Sequence, residues 1–207
     1  MSKYFQNTNK GFTLLEMIVS LGIFSIIAVI AVGSLVRITS LNRQAQSLQA
    51  AMNNVNYILE SFSREMRFGS SFNCTNAETF NGESLSASGC NNGNGNKGIL
   101  FKSVKTAPRG DGTFCPLIHA YWFEDNGTYW NIKKSQQTSC GESISRNSAL
   151  SLVDNGNVVI ESVDFAVITG NLGYSRSFIR LTGHSGLKEK EINEFDIWTQ
   201  VSQRIRD

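Results

Sequence analysis

At 207 residues, 41 % of them hydrophobic, the chain has room for one globular domain and an appendage. Its formal net charge of +2 equals the charge of Lys3 and Lys10, so everything beyond residues 1–11 is neutral overall and unsuited to coating a nucleic acid. The only two histidines, His119 and His184, have neither triad nor metal-ligand spacing, so no catalytic residue, cofactor or metal is expected.

Residues 1–11 form a polar, acid-free segment, as suits a leader held on the cytoplasmic side by positive charge, although Arg37 and Arg43 beyond the next segment leave that rule indecisive. Phe12 to Val36 is almost wholly apolar and holds one ionisable residue, Glu16. At ~1.5 Å per residue this run is long enough to cross a bilayer as a helix. A buried carboxylate costs a few kcal/mol unless paired, so Glu16 points to a partner.

The helical signal continues past the run. Ile38, Leu41, Ala45, Leu48, Met52, Val55, Leu59, Phe62 and Met66 recur at steps of three and four, which makes one apolar face over residues 37–68. No proline interrupts Phe12 to Phe68, Glu60 and Arg64 form a favourable i,i+4 pair, and Gly69 supplies a stop. Together these predict a helix on the order of 85 Å long, whose second half packs on a sheet.

From Gly69 to Gly98 the chain is dense in Ser, Asn and Gly and reads as a surface loop. Its NNGNGNKG stretch, residues 91–98, follows no strand and lacks the Gly-Lys-Ser/Thr ending of a phosphate loop. Strands are predicted at Ile99–Lys105, and at Leu117–Glu124 and Thr128–Lys134, which flank an Asp125-Asn126-Gly127 turn. A second hairpin is predicted from Ala149–Val153, the turn Asp154-Asn155-Gly156 and Val158–Ile168, with further strands at Ser177–Thr182 and Glu194–Val201. Residues 69–207 thus read as an antiparallel β head of four to six strands.

All four cysteines, Cys74, Cys90, Cys115 and Cys140, lie beyond the apolar run, on the side exported if the chain is anchored with its N-terminus inside. Two disulfides are expected. Three pairings are open; loop closure leans to Cys74 with Cys90 and Cys115 with Cys140. Separations of 16, 25 and 25 positions lack the close ligand pairs of a zinc site.

Lys10-Gly11-Phe12-Thr13-Leu14-Leu15-Glu16 resembles the type III signal of prepilins and pseudopilins: a basic residue, Gly, Phe, and Glu four residues after the Phe. The resemblance implies an α+β pilin-like fold, with a long N-terminal helix, transmembrane in its first half, packed on an antiparallel sheet. It implies that a prepilin peptidase/methyltransferase cuts after Gly11 and methylates the new amine of Phe12. Glycine at the cut lets the backbone lie close to the protease carboxylates. By the same resemblance, Glu16 meets the Phe12 amine of a neighbouring subunit and sets filament register.

Other pilin or pseudopilin subunits, the peptidase and an inner-membrane assembly platform are the implied partners. The chain is expected in the bacterial inner (cytoplasmic) membrane as a single-pass protein with an exported head, then in a periplasmic or cell-surface filament. Major pilins commonly carry a proline about two-thirds along the apolar segment, where this chain has Gly33-Ser34. Together with chain size and the elaborate loop, this favours a minor pilin or a minor pseudopilin of type II secretion. The C-terminal Phe195 to Arg204 stretch looks like the closing strand of minor pilin-like proteins. The alternative is an exported binding protein, anchored or released by an ordinary signal peptidase at Ser34; the length of the apolar run and Glu16 within it argue against such a signal peptide.

Overall fold

The computed structural model describes residues 11–82, 84–91, 93, 95–153, 158–170, 174–186 and 192–204. Lys10 with the rest of the leader, and the expected Asp154-Asn155-Gly156 turn, lie outside the described residues.

Helix α1 runs from Leu14 to Phe68 without interruption at Gly33. It starts two residues later than the hydrophobic pattern suggested, because Thr13 caps it. Two compact units divide the chain within this helix, the first ending at Ala45 and the second beginning at Gln46. In the first unit α1 is long and apolar enough to cross a membrane by length and composition, with a mean hydropathy of 2.5 over its most apolar stretch.

In the second unit the helix buries Ala51, Val55, Ile58, Leu59, Phe62 and Met66 against a sheet. The expected stripe is correct from Val55 onward; Ile38, Leu41 and Ala45 upstream are exposed, Leu48 and Met52 are half-buried, and Ala51 and Ile58 widen the face. Glu60 and Arg64 make no ion pair with each other among the described residues. The helix ends where the Gly69 N–H bonds Glu65 O at 2.8 Å, and the Arg204 N–H satisfies the Arg67 carbonyl at 2.8 Å.

The strands are β1 (Ser70–Thr75), β2 (Thr79–Phe80), β3 (Cys90–Asn91), β4 (Gly98–Pro108), β5 (Phe114–Asp125), β6 (Trp130–Gln136), β7 (Ile144–Ser145), β8 (Leu150–Ser151), β9 (Val158–Thr169), β10 (Ser175–Ser185) and β11 (Asn193–Ser202). Among the described residues they make a nine-stranded sheet ordered β1-β4-β5-β6-β9-β10-β11, with β3 on β9 and β8 on β6, and a separate β2-β7 pair. Every pairing is antiparallel. The architecture is α+β and pilin-like, a long N-terminal helix packed on a large antiparallel sheet.

The β5-β6 hairpin turns at Asp125-Asn126-Gly127, where Gly127 has φ 86° and Asp125 Oδ1 and Asn126 Oδ1 accept the next backbone N–H groups. The other expected hairpin does not form: β8 pairs with β6, and β9 pairs chiefly with β10. Leu152 and Val153 explain the difference, since both are buried in the helix-side core and the Leu152 N–H bonds Ile132 O on β6 at 2.8 Å. The stretch expected to be a surface loop contributes β1 to the main sheet instead, because its Phe72 is buried beside Phe101.

Side-chain alternation divides the sheet into two faces. Ile99, Phe101, Tyr121, Phe123, Phe165 and Ile179 share one core cluster with the buried face of α1. On the opposite face of β4 and β5, Leu100, Ile118, Ala120 and Trp122 pack under Phe80 of β2, Leu85 and Ile144 of β7, so β5 is buried on both sides. Among the described residues the outward faces of β10 and β11 have no such cover: Arg176, Arg180, Glu194, Asp196 and Trp198 are exposed there.

Candidate functional site

Two groups of residues carry chemistry that the sheet and helix arrange. The first lies at the start of α1. Gly11, Phe12 and Thr13 precede the helix and are exposed, and a Cβ added at Gly11 would meet no atom within 4 Å. Thr13 is the N-cap. The Glu16 N–H donates to Thr13 Oγ1 at 3.3 Å, and Glu16 Oε2 accepts the Thr13 N–H at 3.4 Å. This is a capping box, Thr-x-x-Glu, in which side chains satisfy two backbone donors at a helix start. The Thr13-Leu14-Leu15-Glu16 spacing is itself the sequence signature of such a box.

Beyond the cap, the apolar segment satisfies its hydroxyl groups internally. Ser20, Ser25 and Ser34 each donate to the carbonyl four residues back, at 2.7, 2.8 and 2.9 Å, to Glu16, Leu21 and Ile30. No hydroxyl is then left to compete for hydrogen bonds in an apolar surrounding. Glu16 differs, because its carboxylate holds only the cap and remains exposed in the isolated chain.

The second group lies between the last turns of α1 and the sheet. Glu65 reaches three side chains: His119 Nδ1 at 3.4 Å, the Tyr121 hydroxyl, which donates at 3.2 Å, and the Lys134 ammonium. Burial raises its carboxyl pKa, but the hydrogen bonds from His119 and Lys134 and their charges more than reverse this, holding it at about 2. Burial drives the Tyr121 phenol upward, helped by the Glu65 charge, so it stays a donor. Ser61 completes the network at 3.1 Å from the Tyr121 hydroxyl.

Residues far apart in sequence thus meet, and no spacing rule could have joined Glu65 to His119. A cavity of about 340 Å³ opens beside them, but His119 Nδ1 already faces Glu65 and Nε2 has no hydrogen-bond partner, so the pair presents no activated nucleophile. His184, the other histidine, sits 2.8 Å from Glu161 on the surface. Among the described residues no group of three or more His, Cys, Asp or Glu side chains could hold a metal ion.

Cys74 is bonded to Cys90 and Cys115 to Cys140, with no free cysteine among the described residues. The first bond closes the segment between β1 and β3; the second ties the start of β5 to the segment after β6. Each closes a loop of the chain and so limits the freedom of the unfolded state.

Residues 6–32 match the family model described as the prokaryotic N-terminal methylation motif. Comparison with curated proteins and with solved structures gave no match. The chain therefore carries a prepilin-type N-terminus, consistent with a type IV pilin or pseudopilin and with processing by prepilin peptidase.

Proposed function

We propose that the chain is a minor structural subunit of a type IV pilus or of a type II secretion pseudopilus. Prepilin peptidase cuts between Gly11 and Phe12, the new Phe12 amine is methylated, and the apolar helix then moves from the inner membrane into a filament with other pilin-type subunits. The observation that carries this reading is the methylation motif over residues 6–32.

The local geometry supports it. The Gly11–Phe12 bond lies outside the helix, and no described residue beyond its chain neighbours crowds Gly11, which leaves the bond open to a protease. Phe12 is 77 % exposed and Glu16 follows one helical turn later, leaving the carboxylate available to a neighbour's amine. In an apolar surrounding an unpartnered carboxylate is costly, and a methylated ammonium from the next subunit relieves that cost. The unbroken helix through Gly33 and the bulky, disulfide-tied head favour the minor role.

The membership claim is tested by shearing filaments from a native host and quantifying this chain against the most abundant pilin-type subunit. The expected result is a substoichiometric signal that co-purifies with the filament and disappears when the peptidase is deleted. Recovery only in membranes, with filaments intact, would count against filament membership and favour an anchored binding protein.

A further inference from the structure

Two stretches of the chain have the form Asn-X-Thr: Asn73-Cys74-Thr75 and Asn126-Gly127-Thr128. In an exported protein this triplet is the acceptor pattern for a saccharide joined to the asparagine nitrogen, and it serves only where an enzyme can reach it. The fold treats the two differently. Asn73 lies within β1 and is half-buried. Its Nδ2 donates to Ser86 O and its Oδ1 accepts the Ser88 hydroxyl, both at 3.1 Å, while Cys74 is bonded to Cys90. Asn73 also pairs with Leu100 of β4, so reaching its amide requires breaking all of these contacts.

Asn126 is placed in the opposite way. It occupies the tip of the β5-β6 hairpin, where residues 125–128 are all exposed. Asn126 Oδ1 accepts the backbone N–H groups of Thr128 and Tyr129, each at 3.0 Å. These donors identify the amide oxygen and hold the amide plane, because a backbone N–H bonds only an acceptor. Both Nδ2 hydrogens are then without a partner among the described residues, as is the Thr128 hydroxyl. Two donors on Oδ1 also polarise the amide, which eases removal of an Nδ2 proton. Open space surrounds the middle of the triplet, since a Cβ at Gly127 would meet no atom within 4 Å.

We propose that Asn126 carries an N-linked glycan, transferred from a polyprenyl-diphosphate-linked saccharide on the outer side of the membrane. In that transfer the bond from Nδ2 to the sugar C1 forms as the C1–O bond to the diphosphate breaks. The electron pair of the broken bond leaves with the polyprenyl diphosphate, one Nδ2 proton passes to a base of the transferase, and nothing is oxidised or reduced. Thr128 is the recognition residue, its hydroxyl free to bond the enzyme. The two backbone bonds to Oδ1 survive the reaction, so the hairpin turn stays closed. The proposal rests on export of the head as read above, and not on entry into a filament.

The test takes the mature chain from its native host and measures the tryptic peptide that follows Arg109 and ends at Lys133, with fragmentation that keeps glycosidic bonds intact. The expected result is saccharide mass localised to Asn126, with Asn73 bare. The added mass is lost in Asn126→Gln and in Thr128→Ala, which keeps the asparagine and both backbone donors to it, and is retained in Thr128→Ser. Bare Asn126, or only its deamidated form, in chains that begin at Phe12 would overturn the proposal. Unchanged occupancy in Thr128→Ala would overturn it too. Bare Asn126 in chains that still begin at Met1 would overturn it together with the export reading, so the N-terminus of the same sample tells the two failures apart.

Discussion

Within its own chain Glu16 accepts the Thr13 N–H at 3.4 Å, so Glu16→Gln keeps an acceptor for the cap while deleting the charge, and Glu16→Ala deletes both. If the charge pairs with a neighbour's Phe12 amine, both variants are cleaved normally and both assemble poorly. Normal filament yield from Glu16→Gln beside a defect in Glu16→Ala would reduce the role of Glu16 to capping. Glu65 offers a second test at this scale. Its folded pKa is depressed from 4.5 to about 2, so its contribution to stability is complete above the unfolded value and fades as pH falls towards the folded one. Taken whole, that shift corresponds to about 3 kcal/mol, and solvent screening of the partly exposed carboxylate lowers the contribution below this. Urea unfolding of the full chain is therefore expected to weaken between pH 5 and pH 2, and Glu65→Gln to flatten that slope. An identical slope in the variant would contradict the network.

At the scale of elements, the β9-β10 pairing shifts register between Thr182 and Gly183. A Cβ at Gly183 would lie 2.1 Å from Val159 O and 3.0 Å from Ile160 Cα, both backbone atoms that cannot swing aside. Gly183→Ala is expected to destabilise the head by roughly 2–3 kcal/mol, measured as a lower urea midpoint with unchanged m. A change within ~0.5 kcal/mol would show that the strands can separate there at little cost. The same pairing marks where the sequence was legible and where it was not. Period-3.6 spacing located α1, and apolar runs bounded by turn residues located strands β4, β5, β6, β9, β10 and β11, because each buries enough apolar side chain to mark its own segment. Pairing partners were readable only where a tight turn joins neighbours, as at Gly127. β8 chose β6 through the buried Leu152, and β1 joined β4 through Phe72, long-range contacts that leave no periodic trace.

Over the whole molecule, the places where polar groups gather differ in legibility. The N-terminal signature is a contiguous string whose spacing carries its meaning, so Gly11, Phe12 and Glu16 could be singled out from residues alone. The Glu65–His119–Tyr121–Lys134 network is assembled across elements and was invisible until register was known. The head's turn-rich margins are held by the Cys74–Cys90 and Cys115–Cys140 bonds, which suit an oxidising compartment outside the cytoplasm. That placement agrees with the topology we propose, in which the leader lies inside and the head outside. The measurement that bears most directly on this account is the N-terminal peptide mass of the mature protein, taken from the membrane fraction of a host that possesses prepilin peptidase. The account predicts a chain beginning at N-methylated Phe12; a chain beginning at Ser34, or one retaining Met1, would contradict it.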